Sequence, residues 1–348
     1  MKTKSFAAKA PEKALEYYEF ERREPTEYDV EFEVQFCGVC HSDIHTARGD
    51  WGETEYPCVT GHEIVGQVTR IGSSVTKFKV GDRVGVGCLV NSCGKCNPCK
   101  AGLEQYCDKG ATWTYGSNDP IDGTDTKGGY STIMDATEKF VMNIPDSLNM
   151  ADAAPLLCAG ITMYSPLMHW KTGPGMKVGI IGLGGLGHMG VKYAKAMGAY
   201  VGVITSSPEK AETAKQYGAD EVIVSSSEAD MKGAIRKFDL IIDTIPSAHE
   251  LKPYLELLNV DGSIVLVGPI NPMPGFHGGE LIGGRKSIAG SGVGGIKETK
   301  EMLEFSAKHG IVPNIEVITM ADINKAWDSL VSKQFSKRYV IDIQKSFT

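Results

Sequence analysis

The stretch KVGIIGLGGLGHMG, residues 177–190, limits the folds open to this 348-residue chain more than any other. KVGIIG (177–182) reads as a buried strand, and its all-apolar centre suits a parallel sheet covered on both faces. Gly182-Leu183-Gly184-Gly185-Leu186-Gly187 then fits G-x-G-x-x-G. HMGVKYAKAMG (188–198) spaces its apolar residues as a helix that ends on Gly198. A chain with 41 glycines throws up such a pattern by chance, but a strand before it and a helix after it are the context it requires. The alternation continues through YVGVIT (200–205), PEKAETAKQYG, EVIVSS, FDLIIDTI (238–245), LKPYLELL and SIVLVG (263–268). Repeated βα units with right-handed crossovers build a doubly wound parallel sheet.

The glycines carry chemistry as well as shape. The first permits the tight turn, the second lets backbone approach a pyrophosphate, and the third lets the helix pack on the strand with its N-terminus toward the anion. A structural turn without a ligand is the competing reading. The kind of dinucleotide depends on the end of the next strand, where an NAD site usually has an acid for the ribose 2′-OH. Here that place holds Thr205, Ser206 and Ser207, with Lys210 three residues on. Hydroxyls, backbone N–H groups and an ammonium suit a 2′-phosphate, and the missing carboxylate removes its repulsion. Glu209 and Glu212 fall on the following helix. NADP(H) is therefore expected over NAD(H), against the alternative of a solvated loop that merely lacks an acid.

The first 150 residues have another texture. VEFEVQF (30–36), EIVGQVTRIG (63–72) and DRVGVGCLV (82–90) read as short strands broken by Gly, Pro and Asp, with no two regular helices between them. After about residue 288, ETKEMLEFSAKHG reads as a helix and KRYVIDI as a closing strand. Nine cysteines, an odd number in a chain with no apolar leader, make a poor disulfide framework. Four crowd together as Cys93-x2-Cys96-x2-Cys99-x7-Cys107. Four thiolates at ~2.3 Å satisfy a tetrahedral Zn²⁺ and leave no open position, so such a site is structural. An iron–sulfur cluster is the rival reading.

The remaining candidate ligands, Cys40 in GVCHSDIH, His62 in GHE and Cys158 in PLLCAG, are scattered, and composition cannot link them. Taken singly, each is as readily a packing residue. Together, a Cys₂His site with an open fourth position would polarise a carbonyl or alkoxide, which hydride transfer to a nicotinamide requires. Cys37, Cys58 and Cys88 read as apolar fillers.

Composition excludes other classes. Hydrophobic residues make up 42% and charged residues 23%, as expected of a chain with a real core. The net charge of −7 without a basic run argues against nucleic acid or anionic membrane as partner. No stretch approaches the ~20 apolar residues of a membrane span. A cytoplasmic protein acting on small molecules is the expectation.

GVCHSDIHTARGDW (38–51), GHEIVGQVTRIG (61–72), the four-cysteine run, LLCAGIT (156–162) and IIGLGGLGHMGVKYAKAMG (180–198) occur in that order. Together they resemble the zinc-containing medium-chain alcohol dehydrogenases. TWTY (112–115), GLGHMG and GGIKETKEML (294–303) are most similar to the cinnamyl-alcohol-dehydrogenase type. The resemblance runs nearly end to end. It implies an α/β chain of three parts: a GroES-like β-rich catalytic domain with a structural zinc lobe over 1–152, a Rossmann NADP-binding domain over 153–288, and a return to the catalytic domain over 289–348. It also implies a homodimer and two Zn²⁺ per chain.

By the same resemblance, Cys40, His62 and Cys158 would hold a catalytic zinc, with Glu63 as an alternate ligand or a neighbour that helps water exchange. Asp43 would fix the tautomer of His62. Ser42 would hydrogen-bond the reacting oxygen and pass its proton through the cofactor ribose to His45. His41 would lie near the pyrophosphate, and a plain surface histidine is the alternative. Trp51 and Trp113 would line the substrate pocket, where large rings suit aromatic or medium-chain aldehydes; core packing is the alternative for both. GSNDPIDGTDTKGGYS and NPMPGFHGGE point to no substrate. Three other readings stand beside this one: an NAD(H)-dependent alcohol or polyol dehydrogenase, a zinc-stabilised binding protein without turnover, and a nucleic-acid zinc module.

Overall fold

The computed structural model describes residues 1–268, 271–332 and 337–348. It divides into two compact units, Met1–Cys158 with Gly294–Thr348, and Ala159–Val293.

The first unit begins with the antiparallel pair β1 (Lys2–Ala7) and β2 (Glu16–Glu21). β3 (Asp29–Gly38) is the long central strand of a seven-stranded sheet among the described residues. It pairs with β4 (Ile64–Ile71), which pairs with β5 (Arg83–Val86). β6 (Leu89–Asn91) and β7 (Thr112–Trp113) form a small separate ladder beside the cysteine run, while β8 (Ile133–Thr137) adds to β3 and β9 (Met142–Asn143) to β5. Alternation explains these strands: Val30, Phe32 and Val34 point into a core shared with Ile64, Val84, Met134 and Ile341.

The helix His41–Arg48 was not expected in this region. It forms because Asp43 reaches back to accept the Cys40 N–H at 2.8 Å, Ile44 and Ala47 are buried on one face, and Gly49 ends it at φ 76°.

Among its described residues the second unit has a six-stranded all-parallel sheet, with strand order third, second, first, fourth, fifth, sixth along the chain. Its strands are β10 (Lys177–Ile181), β11 (Tyr200–Thr205), β12 (Glu221–Val224), β13 (Phe238–Asp243), β14 (Leu258–Leu266) and β15 (Ser287–Gly290). Val178 to Ile181 are all buried, as covering on both faces demands. The helix Gly187–Ala196 follows β10, and Gly198 at φ 91° closes its end. PEKAETAKQYG forms a 3-10 turn, Pro208–Lys210, and a shorter helix, Ala211–Gln216; LKPYLELL forms only Lys252–Leu255. Pro208 and Pro253 sit at the starts of these segments, where a proline ring is tolerated.

The chain then returns to the first unit. The helix Ile296–His309 is followed by β16 (Ile315–Ile318) and β17 (Arg338–Asp342), and β17 pairs antiparallel with β3. Among the described residues no helix is long and apolar enough to cross a membrane.

Candidate metal centres and dinucleotide loop

Cys93, Cys96, Cys99 and Cys107 bring their sulfurs within 4.8 Å of one another. Cys93 to Cys99 and Cys96 to Cys107 are both 3.9 Å. A tetrahedron with arms of ~2.3 Å has edges of ~3.8 Å, so the spacing fits one metal ion surrounded by sulfur. Gly94, at φ 65°, turns the knuckle so that the Lys95 and Cys96 N–H groups point at the Cys93 sulfur, at 3.5 and 3.4 Å. Those two backbone donors hold the Cys93 thiol down at about 6, and the Asp108 N–H likewise reaches the Cys96 sulfur at 3.5 Å. Backbone donors thus favour a thiolate at Cys93, whereas burial pushes the Cys99 thiol up to about 11.

The scattered residues converge as well. Cys40 precedes the helix His41–Arg48, His62 and Glu63 lead into β4, and Cys158 follows the 3-10 turn Ala154–Leu157. Ligand atoms of Cys40, His62, Glu63 and Cys158 lie within 4.8 Å of one another. Two thiols and an imidazole form a soft donor set suited to zinc.

Asp43 organises this cluster from beneath and is wholly buried. Its Oδ1 lies 3.0 Å from the His62 Nδ1 and accepts the Gly61 N–H at 3.0 Å. Its Oδ2 accepts the Cys40 N–H at 2.8 Å and the Tyr130 hydroxyl at 3.0 Å. A proton held on Nδ1 leaves Nε2 of His62 as the metal-binding nitrogen. The Tyr115 hydroxyl also lies 3.0 Å from Nδ1.

Glu63 is paired with Arg338 on β17 through Oε1, and both side chains are buried. Its Oε2 has no hydrogen-bond partner. Burial pushes the Glu63 carboxyl up to about 7 against the pull of Arg338. Glu63 Oε2 is thus an unpaired oxygen among the ligand atoms of Cys40, His62 and Cys158.

Ser42 Oγ lies 3.6 Å from the Cys40 sulfur. His45, one turn along the same helix, is half-buried, with Nδ1 2.8 Å from Asp50. The Trp51 ring stacks on His45 at 5.1 Å and 28°. Trp51 and Trp113 are each 42% exposed, so neither is a core residue. Trp113 lies on β7, opposite Leu89. His41 places Nε2 3.3 Å from the Leu330 carbonyl.

Sequence reasoning missed three residues here. Arg338, Tyr115 and Tyr130 come from distant segments, and only the quoted TWTY motif contains one of them.

In the second unit, Gly182 takes φ 87°, and a Cβ on Gly187 would come 2.0 Å from the Gly182 carbonyl oxygen. These two positions are dictated by the turn itself. A Cβ on Gly184 would meet no protein atom within 4 Å, so packing gives no reason for glycine there, whereas close approach of a ligand does. Gly185 and Leu186 complete the turn before the helix at Gly187. At the end of β11, Thr205 is buried and its Oγ1 accepts the Ser207 N–H at 3.1 Å. Ser206 is exposed and Lys210 half-buried, and no carboxylate occurs from Thr205 to Pro208.

Comparison with known proteins agrees with this geometry. Residues 26–146 match the alcohol dehydrogenase GroES-like domain, and residues 185–308 match the zinc-binding dehydrogenase family. A probable mannitol dehydrogenase of Fragaria ananassa is 51% identical over 347 residues, 98% of this chain and 95% of that protein. The aldehyde reductase YahK of Escherichia coli (strain K12) is 48% identical, covering 98% of each. A crystal structure of the cinnamyl alcohol dehydrogenase from Helicobacter pylori complexed with NADP(H) superposes with a TM-score of 0.94 at 42% identity. That likeness covers 100% of this chain and 99% of the other.

Proposed function

The chain belongs to the zinc-containing medium-chain alcohol dehydrogenases, of cinnamyl-alcohol-dehydrogenase type, and we propose that it interconverts primary alcohols and aldehydes with NADP(H). The observation that carries this reading is the convergence of Cys40, His62, Glu63 and Cys158 within 4.8 Å. Bound there, zinc supplies Lewis acidity toward the substrate oxygen, and the nicotinamide supplies or accepts the hydride.

The protein's own groups do the rest. Asp43 keeps the proton on Nδ1 of His62 and orients its ring. Arg338 holds Glu63 beside the ligands. Ser42, the hydroxyl nearest Cys40, donates to or accepts from the substrate oxygen. Three residues on, His45 shares its helix face and stands at the surface, where a proton leaves without stranding charge in the core. The hydroxyls of Thr205, Ser206 and Ser207 with the Lys210 ammonium receive the 2′-phosphate, and the turn Gly182–Gly187 receives the pyrophosphate. The Cys93–Cys107 knuckle holds a second, structural zinc, giving two per chain.

The exposed rings of Trp51 and Trp113 favour aromatic or medium-chain aldehydes. Nine free thiols suit a reducing compartment, hence the cytoplasm. The open outer edge of β15 favours a homodimer, and light scattering giving a monomer at micromolar concentration would end that part of the reading.

The deciding experiment compares initial rates of cinnamaldehyde reduction by zinc-replete protein with NADPH and with NADH. A preference of at least about tenfold for NADPH is expected, one strong polar contact's worth. An NADH preference would retain the fold and overturn the phosphate site. Mannitol belongs in the reverse assay, and its efficient oxidation with no aldehyde reduction would replace the substrate class.

A further inference from the structure

The run GSNDPIDGTDTKGGYS, residues 116–131, suggests no substrate, yet its end has a place beside the cluster of Cys40, His62 and Cys158. Gly128-Gly129-Tyr130 lies along Val59-Thr60-Gly61, the three residues that lead into His62. The N–H groups of Gly128, Gly129 and Tyr130 donate to the carbonyls of Val59, Gly61 and Thr60 at 2.8, 2.8 and 3.0 Å. The two segments touch too closely for side chains between them. A Cβ on Gly128 would come 2.4 Å from the Thr60 and Gly61 carbonyl oxygens, and one on Gly129 would come 2.5 Å from Ile64. The glycines thus bring Tyr130 against the segment that carries a metal ligand.

Tyr130 is held there on several sides. It is wholly buried, its carbonyl accepts the Phe6 N–H at 3.0 Å, and the Trp327 ring packs on its ring with centroids 6.5 Å apart. Gly61 has φ 102°, and a Cβ there would come 2.6 Å from Cδ1 of the Tyr130 ring. With the ring so placed, its hydroxyl reaches Oδ2 of Asp43 at 3.0 Å. A carboxylate oxygen only accepts, so the hydroxyl donates.

The consequence lies in how Asp43 is aimed. A carboxylate free to turn about its Cβ–Cγ bond cannot orient a neighbouring ring. Here Oδ2 accepts the Cys40 N–H at 2.8 Å and the Tyr130 hydroxyl, while Oδ1 accepts the Gly61 N–H at 3.0 Å. Oδ1 is thereby left 3.0 Å from Nδ1 of His62. The two N–H groups come with the ligand segments themselves. Tyr130 comes from a segment that carries no ligand of this cluster, and without its hydroxyl Oδ2 would keep one donor of two. Tyr115 is placed differently: its hydroxyl lies 3.0 Å from Nδ1 itself, and a group that both donates and accepts selects neither ring nitrogen.

We propose that Tyr130 is a positioning residue for the catalytic metal, acting through Asp43 to keep the proton on Nδ1 of His62 and leave Nε2 for the metal. The GGY run at 128–130 is then part of the metal centre, although none of its atoms is a ligand. This deepens the reading of Cys40, His62 and Cys158 as a zinc site and rests on it.

The test measures zinc dissociation constants on the full chain by competition with a chelator, with the Cys93–Cys107 knuckle as internal reference. An outer partner bonded to a ligand is worth about 10–100-fold in metal affinity. Tyr130 stands one contact further out, so Tyr130→Phe should weaken zinc at the cluster by about three- to tenfold and leave the knuckle zinc unchanged. With cobalt in place of zinc at the cluster, the visible absorption bands of Tyr130→Phe should shift, because they report donor geometry. Asp43→Asn and the double variant Asp43→Asn/Tyr130→Phe should bind cluster zinc within about twofold of each other, because the carboxylate through which the hydroxyl acts is gone from both. That comparison decides the question even if Tyr130→Phe alone does not fold. Wild-type zinc affinity and cobalt bands in Tyr130→Phe would overturn the proposal. So would equal loosening of both zincs with a lowered melting temperature, which would make the hydroxyl a support of the fold alone, or a further loss of about three- to tenfold in the double variant. A folded wild type that holds the knuckle zinc and no second zinc would overturn the catalytic-metal reading itself, and the positioning role with it.

Discussion

At the scale of single residues, the catalytic cluster and the charged network beneath the β-sheet behave differently. Cys158→Ser removes a soft ligand without changing side-chain volume much, so the fold should persist while turnover falls. Loss of an outer contact alone costs about 10–100-fold in metal affinity or activity at such sites, so losing a ligand should cost more than about a hundredfold. NADPH binding should stay within a few-fold of wild type. Near-normal aldehyde reduction by this variant, with its zinc content unchanged by elemental analysis, would remove Cys158 from the ligand set. Asp29 is a structural counterpart: it pairs with Arg23 at 2.6 Å and accepts the Thr26 N–H at 2.6 Å. Burial alone would raise its carboxyl, but those partners hold it below its ordinary 3.8. A depressed folded value contributes stability above about pH 4 and loses it as pH falls through the folded value. The melting-temperature gap between wild type and Asp29→Asn should therefore be full at pH 6 and narrow by pH 3. An equal gap at both would mean the charge is irrelevant.

At the scale of elements, the turn from β10 into the helix Gly187–Ala196 is where backbone and function coincide. Its outer glycines answer to geometry, whereas Gly184 faces open space. The two kinds of position should respond differently. Gly187→Ala sets a Cβ against backbone at 2.0 Å, which cannot be relieved by a side-chain rotation. It should destabilise the second unit by about 3 kcal/mol or more, seen in denaturant unfolding. Gly184→Ala meets no protein atom, so its stability should stay within about 0.5 kcal/mol while NADPH affinity drops at least about tenfold. Unchanged affinity in Gly184→Ala would argue that no pyrophosphate approaches that glycine.

At the scale of the whole molecule, the cysteine knuckle is a staple on a stretch with little regular structure between β6 and β7. Closing four thiolates on one ion contributes folding free energy directly. Cys99→Ser should lower the melting temperature by at least about 5 °C and release one zinc, with the Cys40–Cys158 cluster still loaded. An unchanged melting profile would count against a structural role for the knuckle.

Features encoded at short range were legible in the residues themselves. The spacing of Cys93 to Cys107 and the strand–glycine–helix pattern at 177–198 are each complete within about twenty residues, because chain geometry alone brings their parts together. The parallel sheet followed from apolar runs alternating with helical periodicity, although the helices at 211–216 and 252–255 are shorter than the apolar pattern suggested. The helix at His41 is not legible from apolar period, though Asp43 and Gly49 supply cap signals, because its eight residues bury only Ile44 and Ala47 among apolar side chains. The catalytic cluster is another matter. Cys40, His62 and Cys158 were joined by resemblance and not by any local pattern, since period and spacing carry no information across a hundred residues. Arg338 reaches Glu63 across 275 positions, and Tyr130 reaches Asp43 across 87. The first of these contacts exists because β17 pairs beside β3 and β3 beside β4. The sequence by itself determined the fold class, the thiolate knuckle and the glycine turn; packing alone decided which buried charges face one another around Cys40, His62 and Cys158.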